Sequence, residues 1–131
     1  MGNGHRFEEG MAVRSAVLGA DHVAKSMRET SEFMRPLQEL ITEYCWGTVW
    51  ARPGLDRKTR SMLNLAMLSA LRQRDELRLH VRGALANGCT AEEIQEVLLQ
   101  VAIYCGVPAA LDAFRIAEPI IAAGDPDGVV E

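Results

Sequence analysis

Aromatic residues supply only 5% of the sequence, and nowhere do apolar and polar residues alternate for long enough to build a half-buried strand. The apolar share is nevertheless 48%. It comes mainly from Leu, Ala, Val, Ile and Met, side chains that pack between helices, so the expected fold class is all-α. Basic residues are outnumbered too: fourteen Lys and Arg against eighteen Asp and Glu leave a net charge of −4. No basic block interleaves with aromatics, which excludes the electrostatic footprint of a nucleic-acid-binding surface. Small acidic ligands stay open, because a local arginine cluster can bind an anion inside an acidic protein.

Cysteine is sparse and scattered. Cys45, Cys89 and Cys105 never form the Cys-x-x-Cys pair of redox dithiols and zinc sites, which points to reduced thiols in a cytoplasmic protein. The opening "MGNGHRFEEGMA" lacks the apolar core of a signal peptide, and Arg6 stands where a myristoylation signal needs Ser or Thr. The longest apolar stretch, "VLLQVAIYCGVPAAL", is interrupted by Gln100 and Gly106 and is too short to cross a bilayer. A soluble protein with no membrane partner is expected. Phosphate loops, zinc-helix histidine pairs and nucleophile elbows are missing as well, so neither a metal nor an organic cofactor is expected.

What is present reads as one domain of 131 residues: a helical arm over about 8–30, a core over about 31–123 and a frayed tail over 124–131. Phe33, Leu37, Leu40, Ile41, Tyr44 and Cys45 recur at helical spacing, with Pro36 in the first turn and Gly47 as the stop. "TVWARPGLD" then connects to a Met-, Leu- and Ala-rich helix over 57–72, capped by Asp56 and expected to be buried on most sides. Asp75 offers a cap for "ELRLHVRGALAN", which Gly88 closes. Thr90 and Glu93 form a capping box ahead of the apolar stripe Ile94, Val97, Leu98 and Val101, and Gly106 and Pro108 separate that helix from the last one.

The candidate chemistry starts at His80, four residues after Glu76 and therefore on the same helix face. Two readings fit. A neighbouring carboxylate can orient an imidazolium that donates a proton near neutral pH, or the pair can be a satisfied surface or core histidine; spacing does not decide. Arg52, Arg57 and Arg60 flank the next helix start, with Trp50 beside Arg52, and either clamp a dicarboxylate or stand solvated. Trp46 and Trp50 suit core or interface anchors as well as a dry wall, and Glu43 suits a pocket mouth as well as bulk solvent. Cys105, at a helix C-terminus without a positive dipole, reads as packing.

The segments "WGTVWARPGLDRKTRSMLNLAMLSAL", "ELRLHVRGALANGCTAEEIQEVLLQVAIYCGVPAALDAF" and "GMAVRSAVLGADHV" resemble the 4-carboxymuconolactone decarboxylases over about residues 10–118. The resemblance implies an all-helical fold of the alkyl hydroperoxidase D type, a homotrimer or homohexamer, and a place in protocatechuate breakdown. The wider superfamily's redox motif, Cys-x-x-Cys-x-x-x-His, falls here on Gln73, Glu76 and His80, so the histidine remains without its thiols. It further implies a lactone dicarboxylate as substrate. On that basis His80 delivers a proton, Glu76 orients it, Arg52 or Arg60 binds a carboxylate, and Trp46 and Trp50 exclude water. Two rivals stand beside this reading: a thiol peroxidase using one of the scattered cysteines, and a helical assembly subunit that has lost its reaction.

Overall fold

The computed structural model describes residues 3–124, with side chains from His5 onward, and its chain separates into two compact units that meet at Arg57–Lys58. Of the expected tail over 124–131, Gly124 ends the last helix and the rest lies outside the described residues. That boundary falls within the stretch 31–123 expected to be core.

In the N-terminal unit, α1 (Asn3–Leu18) and α2 (Ala20–Arg28) are split by Gly19, whose φ of 100° is open to glycine alone at little cost. The short α3 (Arg35–Leu40) carries Pro36 in its first turn and runs into a π-helical segment, Ile41–Val49. There Trp50 N donates to Cys45 O at 2.9 Å and Thr48 Oγ1 to Glu43 O at 3.0 Å, both spanning five residues. Gly47 does not stop this helix; it is buried inside it. Its missing Cβ is used for close approach, since a methyl there would overlap the Arg6 carbonyl of α1, and one on Gly10 would overlap the Thr42 carbonyl. Val13 and Val17 of α1 close on Trp46 and Trp50 to form the unit's core. Arg14 is buried beside them, donating to Gln38 Oε1 at 3.0 Å and Thr42 Oγ1 at 3.2 Å.

Of the apolar residues spaced over 33–45, Ile41 and Cys45 pack against this core, but the others stay open. Phe33 is 91% exposed, and Leu37, Leu40 and Tyr44 are each about half exposed.

The C-terminal unit holds α4 (Arg57–Ala70, with its first residue at the boundary), α5 (Arg74–Ala86), α6 (Ala91–Cys105) and α7 (Val107–Gly124). On α4 only Ser61, Leu65 and Ser69 are buried, one turn apart, while Leu63 and Met67 are exposed, so it buries one stripe rather than most sides. α5 begins behind Gln73, which puts Asp75 in the first turn instead of at the cap. Gly88 adopts φ 98° after it. Both bonds of the capping box form: Glu93 N donates to Thr90 Oγ1 at 3.0 Å, and Thr90 N donates to Glu93 Oε1 at 2.9 Å. Ile94, Leu98 and Val101 of α6 pack inwards. Leu65, Leu77, Val81, Ala84, Ala113 and Ile116 complete the aliphatic core with Ile94 and Leu98. Among the described residues no helix is long and apolar enough to cross a membrane.

Candidate active site

The core-facing side of α5 carries Leu77, Val81 and Ala84, and His80 is buried beside them, only 7% exposed. Its ring meets α4 at Asn64, whose amide Nδ2 lies 3.4 Å from His80 Nδ1. With the amide donating, Nδ1 accepts and the ring proton resides on Nε2. Burial strips water from any imidazolium and lowers the His80 pKa from 6.5 to about 4, so the ring is neutral at pH 7.

This corrects the expected Glu76–His80 pair. Helical spacing sets the two Cβ atoms side by side, but His80 turns inward to α4 while Glu76 stays exposed. Among the described residues no ion pair joins them. A carboxylate in water gains little from a neutral ring, and Asn64 holds Nδ1 instead.

Arg60 is half-buried on α4, one turn before Asn64 and hence on the same flank. The other expected site residues belong to the N-terminal unit. Trp46 and Trp50 are 4% and 6% exposed, with ring centroids 4.7 Å apart and planes tilted by 33°. They are core anchors first, although Trp50 also edges a cavity of about 450 Å³ that Arg52, Glu9 and Asp56 line. Glu43 is half-buried and is not among the residues lining that cavity. The structure thus groups Trp50 with Arg52 in one unit, and His80 with Asn64 and the flank of Arg60 in the other.

Two polar residues escaped the sequence reading. Asn64 is the one amide in the apolar run "SMLNLAML", and Arg14 is the one charge in "MAVRSAVL". A lone polar group inside an apolar helical run must find a partner when buried, and that was the usable signal. Burial pushes the Cys45 thiol up against the counteracting Arg14 guanidinium, the reverse of an activated nucleophile. Cys105, expected to pack, is exposed, because the buried stripe of α6 stops at Val101.

The neutral state of His80 sets a dependence of stability on pH. Its folded pKa lies below its unfolded one, so the unfolded chain binds the extra proton between them and acid favours unfolding. Relative to pH 7, stability should fall as pH drops from about 6.5 towards 4, by at most about 3 kcal/mol. Glu93, held low by the Lys58 ammonium at 2.8 Å and by the Thr90 amide, also loses its partners in acid. The measurement is therefore urea unfolding at pH 7 and pH 4.5 for both wild type and His80→Gln. An equal acid loss in the two proteins would rule out His80 as its source.

Among the described residues, then, a buried histidine meets a neighbouring amide on a scaffold of helices without strands. The carboxymuconolactone decarboxylase family matches residues 35–119, and the chain belongs to it. It is an all-α protein of the alkyl hydroperoxidase D-like type and an enzyme of the carboxy-lyase kind. Among individual relatives, the nitrosuccinic acid decarboxylase npaB of Metarhizium robertsii is 49% identical over 115 residues, 88% of this chain and 80% of that one. The 4-carboxymuconolactone decarboxylase of Acinetobacter baylyi is 41% identical over 120 residues, 92% of this chain and 90% of its own.

Proposed function

We propose that the enzyme decarboxylates 4-carboxymuconolactone to β-ketoadipate enol-lactone, a step of protocatechuate breakdown, without a cofactor. The observation carrying this reading is His80: a neutral, buried imidazole fixed by Asn64, in a chain similar over nearly its full length to a decarboxylase of that lactone.

In the lactone, one ring carbon bears both the departing carboxylate and an acetate arm, and the ring double bond is conjugated to the lactone carbonyl. As the C–C bond to the carboxylate breaks, its electron pair moves through the double bond onto the carbonyl oxygen, and carbon dioxide leaves. The substrate is its own electron sink, so the chemistry requires no added one. A proton is then delivered to the ring carbon next to the carbonyl. His80 supplies it. An imidazole neutral in the free enzyme becomes protonated when a bound dianion offsets the cost of its charge, and the substrate thereby arms its own acid. Arg60, on the flank of Asn64, binds a carboxylate; Arg52, in the cavity beside Trp50, is the second candidate for that task. Substituting each by Ala separates them, since the one that holds the carboxylate raises KM more than it lowers kcat.

The greater identity to npaB favours a second substrate, nitrosuccinic acid. There too one carbon carries the departing carboxylate and a carboxymethyl arm, and the nitro group takes the electrons as a nitronate. The deciding assay follows loss of freshly generated lactone by ultraviolet absorbance and, in parallel, loss of nitrosuccinate. Higher kcat/KM on the lactone is expected. Higher kcat/KM on nitrosuccinate would reassign the substrate, and turnover of neither would leave the assembly subunit. A homotrimer or homohexamer belongs to the same proposal, supported by apolar surface left open at Phe33, Leu37, Ile103 and Tyr104.

A further inference from the structure

We propose that the C-terminal unit carries a second, anion-binding site, a groove of about 630 Å³ between α5 and α7 that takes a small polyanion of carboxylate or phosphate groups on a partly apolar body. Arg74, Arg78 and Arg82 follow one another at single-turn spacing along α5, and Arg115 of α7 lines the same groove above an apolar floor that includes Ile116 and Ile120. Four guanidinium groups converge here although the whole chain carries a net charge of −4.

Only part of that charge is neutralised. Arg74 Nε lies 3.0 Å from Asp112 Oδ2, and Arg78 Nη1 lies 2.8 Å from Asp75 Oδ1. Among the described residues neither Arg82 nor Arg115 has an ion-pair partner. Like charges one turn apart repel, so the row on α5 opposes its own helix until an anion bridges it. Guanidinium forks suit bidentate contact with carboxylate or phosphate oxygens, and the volume falls within the range of small-molecule sites.

The groove is not the place where His80 works. Two residues turn an α-helix by about 200°. His80 stands two residues from both Arg78 and Arg82, so it faces the far side of α5. The site is therefore independent of the catalytic reading above.

Calorimetric titration of the whole protein with benzene-1,2,4-tricarboxylate, and separately with inorganic pyrophosphate, tests this at an ionic strength held constant with sodium chloride. Saturable binding of one anion per chain is expected, and its preference between the two probes tells carboxylate from phosphate ligands. The Arg82→Gln/Arg115→Gln variant, which alters exposed side chains only, should bind at least about tenfold more weakly. The His80→Gln variant should bind as wild type does, whatever becomes of its turnover. Unchanged affinity in the arginine variant, or heat that matched sodium chloride abolishes in wild type, would overturn the site. So would an arginine variant of lower sedimentation mass than wild type, since a second copy of the chain would then fill the groove.

Discussion

Replacing His80 by Gln should lower kcat on the lactone by ~10²–10⁴-fold, the usual worth of a positioned proton donor. Glutamine keeps a polar side chain of similar reach opposite Asn64, so α4 and α5 retain their contact and the helical circular dichroism should not change. What is lost is a group that the bound dianion can charge and that then gives up its proton. Because His80 acts on the carbanion, its loss appears in kcat. Near-normal turnover by a folded variant would remove His80 from the chemistry. The low pKa of the free ring, about 4, sharpens the expectation: binding of a dianionic substrate at pH 7 should draw a proton from the buffer in wild type and not in His80→Gln. Titration heats measured in two buffers of different ionisation enthalpy report that proton directly.

Signals that lie within one turn hold in part, since Asp75 is not the cap and Gly47 is not the stop, whereas those that depend on distant chain are not legible locally. The capping box of Thr90 and Glu93 forms, Gly88 takes its positive φ and Gly106 separates α6 from α7, each a matter of residues within one turn of one another. The stripe Phe33, Leu37, Leu40 and Tyr44 shows the limit. Periodicity establishes that one face is apolar and is silent about what covers it, and within the chain that face stays largely open. His80 divides the same way. Its place one turn after Glu76 was legible, but its partner was chosen by burial, which favours a neutral amide on α4 over a solvated carboxylate on its own helix. The match of residues 35–119 to a family that removes carboxyl groups fits the resemblance in "WGTVWARPGL" and "YCGVPAA", but no local pattern could disclose the inward turn of the ring.

Gly10→Ala should destabilise the protein by more than about 3 kcal/mol, past the usual cost of overpacking, and Gly47→Ala should act in the same direction. Neither glycine has a positive φ, so the cost does not lie in backbone conformation. In an ordinary helix the same change stabilises, by roughly 1 kcal/mol, because alanine forfeits less chain entropy. Here the sign reverses. The methyl on Gly10 would overlap the carbonyl oxygen of Thr42, and that on Gly47 the carbonyl oxygen of Arg6. Both obstacles are backbone, which cannot swing aside as a side-chain tip can, so α1 and the π-helical segment must part. Parting them opens the Val13, Val17, Trp46 and Trp50 core and loosens the Thr42 hydroxyl from Arg14. Gly54 serves as the control, with a backbone free of positive φ and open space around its added methyl, and its change to Ala should stay within about 0.5 kcal/mol. Urea midpoints read by tryptophan fluorescence report the effect where it arises, since Trp46 and Trp50 are the only tryptophans in the chain. A Gly10→Ala protein that unfolds at a higher urea concentration than wild type would mean that the two helices do not touch through their backbones.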